Sequence, residues 1–424
     1  MKFSFAFAVT AMLLFAVSNR SDAQTSWKQQ TTSLSNSLLS ICFTSPSTGY
    51  VSGESGTFAR TTNAGTTWTT VNTGTYASLN AVCFVNDTGY VFGTGPTALR
   101  SVNGGLTWTP LTFSVPGASG IAYIKSAIMF DGKNGIVCGY YVVSPNLKAF
   151  TARTTDAGGT WQVQKHDSIT SFYSLSFINR DIGYVVGSMN GMNAPILKTT
   201  DGGTTWAAQQ SGTFGTLGSV HFTDANIGHA GGSFASTIRT TNGGATWRTE
   251  SSAPGSIMAF YGTSPGTVFA VTGGFSAGKI YRSLDSGATW VLQYDAPSPL
   301  NAVYFANSQT GFAAGDQGTI VNTVNGTASV SASLLLPKRF NVQQNFPNPF
   351  NPATTIPFSI PAAAHVTASV YNALGQKVEI LTSREYPAGD HQLRWNAENY
   401  AAGIYLCSVE SAGHSAVVRM VLIK

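Results

Sequence analysis

The chain has 424 residues, a formal net charge of +5 at pH 7, 10% charged side chains and 45 glycines against 4 cysteines. Over residues 24–330 fourteen Lys/Arg face twelve Asp/Glu, and neither that balance nor any run of basic residues offers a nucleic-acid footprint. The cysteines form no Cys-x-x-Cys pair and no Cys/His cluster, which argues against a zinc or redox centre.

The N-terminus reads Met1-Lys2, then an apolar run to Val17, then Ser21-Asp22-Ala23-Gln24. One cation, a run too short to span a bilayer comfortably, and small residues before the cut describe a secretory signal peptide over 1–23, cleaved after Ala23. No other stretch approaches spanning length, so no transmembrane segment is expected in the mature chain.

Beyond it one phrase recurs six times, from Arg60-Thr-Thr-Asn63-Ala-Gly65-Thr-Thr67-Trp68 to Arg282-Ser-Leu-Asp285-Ser-Gly287-Ala-Thr289-Trp290. Its tryptophans, Trp68, Trp108, Trp161, Trp206, Trp247 and Trp290, fall 40, 53, 45, 41 and 43 residues apart, the period of a blade-forming repeat. Asn or Asp ahead of Gly builds a tight turn, and the indole brings a large apolar surface to pack between sheets. The polar turn position is Asn63, Asn103 and Asn242 in three copies and Asp156, Asp201 and Asp285 in the others. An amide is no general base, so what the copies share is an acceptor oxygen, and these positions read as structural.

Each repeat parses into four strands, as in 79–84, 89–93, 98–102 and 106–110. First strands are predicted at 38–43, 79–84, 127–130, 175–177, 219–222, 257–261 and 300–305. The seventh repeat decays to Asn325-Gly326-Thr327 with no Trp, while Ser26-Trp27-Lys28-Gln29 stands 41 residues before Trp68. The prediction is all-β: a seven-bladed β-propeller over 24–330, closed by the N-terminal strand so that no sheet edge stays open. Cys42 and Cys83 hold equivalent sites in neighbouring blades; a bridge between them is conceivable in an exported protein, but the blade spacing exceeds the usual Cα limit and buried free thiols are the expectation.

The repeated Ser/Thr-x-Asp-x-Gly-x-Thr-Trp phrase resembles the Asp-box, or BNR repeat, of sialidases, some endoglucanases and sortilin-type receptors. With the stretch ahead of it, Phe43…Gly49-Tyr50-Val51-Ser-Gly53 and its copies at Phe84 and Phe177, the unit is most similar to the photosystem II stability and assembly factor family. That resemblance covers about three quarters of the chain and implies a propeller; such motifs specify fold better than function.

From Leu336 the composition changes. A proline-rich stretch, 331–353, contains Gln344-Asn-Phe-Pro-Asn-Pro-Phe-Asn-Pro352 and must be extended or turning. Six short strands over 354–424 predict a small immunoglobulin-like β-sandwich. With Val370-Tyr-Asn-Ala-Leu-Gly-Gln376 and Ala402-Gly-Ile-Tyr405, this region resembles the C-terminal sorting domain of the type IX secretion system. The resemblance implies that machinery as a partner and a secreted or outer-surface location in a Gram-negative bacterium, away from photosystem assembly.

Binding on such a scaffold is expected on the loop-rich face opposite the box turns. The aromatic candidates there, expected to be exposed, are Tyr76, Phe113, Tyr140, Tyr141, Tyr173 and Phe234, with Phe172, Phe214, Phe275 and Tyr294 in the same loops. The basic residues opening each phrase, Arg60, Arg100, Arg153, Lys198, Arg239 and Arg282, form either a cationic ring for an acidic peptide or a set of inter-blade caps. Catalysis would need paired carboxylates, and Glu54 with Asp316, on blades one and seven, is the one pair to test. No metal or cofactor is called for. The reading is an exported, non-enzymatic module that binds a protein segment or a glycan, with a secreted glycoside hydrolase as the alternative.

Overall fold

The computed structural model describes residues 27–118, 121–189, 194–232, 235–250, 254–274, 277–326, 340–386 and 389–423. The signal-peptide reading of 1–23, residues 331–339 of the proline-rich stretch, and Phe234 and Phe275 lie outside them. The chain divides into two compact units, one running Thr25–Ala328 and one containing Ser329–Lys424. Among the described residues the only helical turn is the 3-10 segment Asp316–Gly318.

Among the described residues the larger unit holds seven four-stranded antiparallel sheets, here I to VII. Their first strands are Leu38–Phe43, Leu79–Val85, Ala122–Met129, Ser171–Phe177, Ser219–Phe222, Ile257–Ser264 and Leu300–Phe305. Each first strand packs beside those of the sheets before and after it, and that of sheet VII lies beside that of sheet I. Sheet VII is completed from the far end of the sequence. Trp27–Gln29 pairs with Ile320–Thr323, setting Trp27 opposite Thr323 and Lys28 opposite Asn322.

The box turns knit themselves together. In sheet I, Thr61 Oγ1 accepts the Gly65 N–H at 2.9 Å, and Asn63 Oδ1 accepts the Thr67 N–H at 2.9 Å. Asn63 then donates from Nδ2 to Thr67 Oγ1 at 2.9 Å, whereas Asp156 accepts from the Thr160 hydroxyl at 2.7 Å. The threonine rotor reverses its role, so amide and acid serve the same turn. These bonds hold the Asp201 carboxyl down at about 2, led by the Thr205 hydroxyl.

Three of the box tryptophans pack edge-on against the phenylalanine that ends the first strand of the same sheet: Trp68 on Phe43 at 6.2 Å, Trp206 on Phe177 at 6.2 Å, and Trp247 on Phe222 at 5.9 Å. Sheet VII lacks a box Trp, and there Trp27 takes the same position, 5.8 Å from Phe305 at 88°. Edge-to-face geometry suits the quadrupoles of both rings.

Two expectations need correction. The fourth strands begin after the box tryptophan, not before it, and shrink to Thr69–Thr70 and Thr109–Pro110, because the turn bonds extend up to that residue. In sheet III the place of Tyr140 and Tyr141, expected in a loop, is strand: Gly135–Val143 and Asn146–Thr154 run straight through it. The cysteines are unpaired, with Cys42, Cys138 and Cys407 buried, and burial pushes the Cys407 thiol up to about 12.

The C-terminal unit has a three-stranded sheet (Asn341–Val342, Ala353–Ile360, Gly389–Asn396) and a four-stranded one (Lys377–Tyr386, Ala364–Asn372, Gly403–Ser411, His414–Leu422). Both contribute to one core containing Trp395, Phe350, Phe358, Val370, Cys407 and Met420. The proline string is stapled to it: Asn348 Oδ1 accepts the Val421 N–H at 2.8 Å, and Asn345 donates to Thr354 Oγ1 at 2.8 Å.

Candidate functional site

All seven first strands carry, within two residues of their start, the same three-residue pattern of an apolar residue, a variable residue and Ser or Ala. The apolar members, Leu38, Leu79, Ile124, Phe172, Leu217, Ile257 and Leu300, are at most 1% exposed. The variable residue is skipped by the pairing register in six sheets, at Leu39, Asn80, Lys125, Tyr173, Met258 and Asn301. In sheet V Gly218 stands in the same place, just ahead of Ser219. An extra residue of this kind is a β-bulge, which re-aims its own side chain.

The bulge explains a glycine the repeat keeps on the second strand. A β-carbon on Gly187 would lie 1.8 Å from the Ser171 carbonyl oxygen, and one on Gly93 2.0 Å from that of Ser78. Backbone cannot yield as a flexible side chain does. Gly187→Ala is therefore expected to cost about 1–3 kcal/mol, seen as a lower midpoint of urea unfolding, while Gly132→Ala, with nothing within 4 Å, should leave it nearly unchanged.

The residue after the bulge binds one sheet to the next. Ser40 Oγ accepts the Val82 N–H at 3.2 Å, Ser126 that of Leu175 at 3.3 Å, Ser174 that of Val220 at 3.2 Å and Ser219 that of Phe260 at 3.2 Å. Two bulge carboxamides do likewise: Asn80 donates to the Ile124 carbonyl at 2.8 Å and Asn301 to that of Leu38 at 3.0 Å.

Between the seven first strands lies a cavity of about 330 Å³, lined by these seven bulge residues with Thr216 and Ile257. It sits where the first strands begin, on the side of the fourth-to-first connections. The box turns lie at the other end, against the first-to-second turns, where the Gly104 N–H donates to the Asp87 carbonyl at 2.9 Å. Lys125 is the one cation among the described lining residues, and none of them is a carboxylate. Burial lowers the pKa of its ammonium, and no ion pair holds it among the described residues. Tyr140, on the second strand of sheet III, stacks on Tyr123 at 4.7 Å and meets the lining residue Tyr173 edge-on at 6.3 Å.

The aromatic candidates are scattered by this geometry. Tyr173 lines the cavity and Tyr140 packs on the Tyr173 ring behind it, while Tyr76 (93% exposed) and Phe214 (70%) stand out on connections leading to sheets II and V. Phe113, Tyr141 and Phe172, expected to be exposed, are core residues at 6%, 2% and 0%. Phe113 meets Trp161 at 5.5 Å, and Tyr141 is buried because its strand continues where a loop was expected.

Four of the six basic residues reach a turn of the neighbouring sheet. Arg60 approaches Gly104, and Arg100 bonds the Tyr90 hydroxyl. Arg153 donates to Thr204 Oγ1 at 2.5 Å, Lys198 to the Gly243 carbonyl at 2.9 Å and Arg282 to that of Gly326 at 3.0 Å. Arg239 instead pairs with Glu250 at 2.7 Å. Asp316 accepts from the bulge residue Asn301 at 2.8 Å, and no bond joins it to the exposed Glu54 among the described residues.

Sequence reasoning missed the bulge column. The signal was present: of three adjacent positions repeated seven times, two keep their character and the middle one changes at nearly every copy.

Comparison with known families and structures places the fold. The family model described as photosynthesis system II assembly factor YCF48 matches residues 19–140 and 152–290, more than half of the chain. The chain belongs to this YCF48 family. A second model, the secretion system C-terminal sorting domain, matches residues 344–424. Among solved structures, a YCF48 bound to D1 peptide is similar over 71% of this chain and 96% of its own, with a TM-score of 0.57 at 18% identity. YCF48 from Cyanidioschyzon merolae covers 70% and 98%, with a TM-score of 0.57 at 21% identity. A GH74 xyloglucanase from Xanthomonas campestris matches 78% of this chain and 59% of its own, with a TM-score of 0.52 at 14% identity. These structures share the fold. No curated protein sequence matches the chain.

Proposed function

We propose that this YCF48-family chain is an exported seven-bladed propeller, closed by its N-terminal strand, that binds a protein segment or glycan in the cavity at its hub without turning it over. Seven sheets, the pairing of Trp27–Gln29 with the last one, and first strands that neighbour one another in a cycle support the closed ring. The C-terminal sandwich, read as an immunoglobulin-like sorting domain, hands the chain to type IX machinery for release or surface attachment.

One observation carries the binding role. Scaffold positions repeat around the ring, yet the bulge column that lines the cavity reads Leu, Asn, Lys, Tyr, Gly, Met and Asn. A position that only supported the fold would repeat like its neighbours; one that shapes a ligand need not. The lining holds no carboxylate pair to cleave a glycosidic bond among the described residues, and Asp316 is occupied in holding Asn301.

The full exported chain on combined glycan and peptide arrays is expected to retain a ligand, and polysaccharide panels to show no release of reducing ends. Turnover lost in both Glu54→Gln and Asp316→Asn would replace this reading with the hydrolase alternative.

A further inference from the structure

We propose that the hub cavity is a site for an acidic sugar residue, its carboxylate paired with Lys125 and its ring set against Tyr173. The inference rests on the binding reading above and names the ligand class. Lys125 is a half-buried ammonium on a bulge, facing a cavity shared with Leu39, Met258 and two carboxamides, and no acid pairs with it among the described residues. A desolvated charge without a counter-ion is costly, and burial already lowers its pKa. A ligand carboxylate supplies what the chain leaves out.

Three features select a sugar acid over other anions. One ammonium, with no guanidinium fork beside it in the lining, matches a single carboxylate better than a phosphate, which calls for more donors. Part of the main chain next to the lining is committed: serine hydroxyls take the N–H groups of Val82, Leu175, Val220 and Phe260, and asparagines take the Ile124 and Leu38 carbonyls. A peptide would lose these backbone partners, whereas hydroxyls on a ring can use the side chains. The ring of Tyr173, which lines the cavity and is backed by Tyr140 at 6.3 Å, offers a flat apolar face and a phenol, the pairing a pyranose offers in reverse. At about 330 Å³ the cavity stands at the small end of ligand pockets, which run from about 300 to 1,000 Å³.

The test is calorimetric titration of the full exported chain with trigalacturonate, glucuronate and sialic acid, each beside its methyl ester. At least one acid is expected to bind tenfold or more tightly than its ester. Lys125→Met should weaken that acid about 10–100-fold, the range for a hydrogen bond to a charged group, and leave the ester unchanged. Its melting temperature should equal or exceed that of the parent, since a desolvated charge has been removed. Gly218→Trp fills the gap in the ring, where nothing lies closer than 3.9 Å to an added β-carbon, and should abolish binding while the chain stays folded. Esters that bind as well as the acids, or an acid indifferent to Lys125→Met, would overturn the proposal. If Gly218→Trp abolishes binding of an array ligand that ignores Lys125→Met, the cavity reading stands and the sugar-acid assignment falls. An array ligand indifferent to Gly218→Trp would sink both.

Discussion

Trp27→Ala is expected to cost the larger unit about 3–5 kcal/mol, the usual range for deleting a buried large aromatic. Trp27 is 2% exposed and meets Phe305 at 5.8 Å and Phe269 at 6.3 Å. Its three-residue strand has no sequence neighbour in sheet VII and is held there by side-chain packing, three cross-strand residue pairs and, just beyond them, the Gln30 N–H on the Ile320 carbonyl at 2.8 Å. The cost should appear as a fall of roughly 10 °C in the thermal midpoint, at a few degrees per kcal/mol for a unit of this size. Lys28→Ala, on an exposed residue of the same strand, should stay within about 0.5 kcal/mol. Equal effects from the two substitutions would mean that the strand is not docked through its indole.

Acidification is the second large effect. His221 and His229 face each other across sheet V. Burial brings His221 down to about 4, and burial, then His221 and Arg239, bring His229 down to about 3. His221 Nε2 accepts the Gly262 N–H at 2.8 Å, a bond that exists only with that nitrogen unprotonated. Both folded values lie below the unfolded value near 6.5, so at intermediate pH the unfolded chain holds more protons. Stability is therefore fully present above about pH 6.5 and drains away as pH falls towards 3–4. By pH 5 each histidine removes on the order of 2 kcal/mol. Thermal midpoints measured from pH 7.5 to 4.5 should fall steeply. His229→Phe should flatten the slope and raise stability at neutral pH, because neither ring nitrogen of His229 has a hydrogen-bond partner among the described residues. A pH-independent midpoint would refute the account of these two side chains.

The repeated phrase made the architecture readable, since each Asn/Asp-x-Gly turn is a local event and each Trp needs only a surface to cover. Even the displaced strand at Trp27 was visible, through spacing alone. Tertiary placement was harder. Phe113 and Tyr141 looked like loop aromatics, yet one fills a gap beside Trp161 and the other lies within a strand that runs past its predicted end. The first strands of sheets III and IV begin at Ala122 and Ser171, five and four residues ahead of the apolar runs used to predict them. The bulges at Lys125 and Tyr173 break the alternation of faces, and a period-two reading stops there. The same break hid the cavity, because a bulged side chain points where the pattern says it should not.

Both the cavity and any ligand in it depend on the ring being shut between its two ends. Lys28 and Asn322 are direct partners across that seam, and antiparallel partners lie about 4.5–5.5 Å apart, within disulfide range. The full exported chain carrying Lys28→Cys with Asn322→Cys should form an intramolecular disulfide in the folded state, seen as faster non-reducing gel migration that reductant reverses. Two thiols that stay free under oxidising conditions, and couple only after unfolding, would show that the ends do not meet.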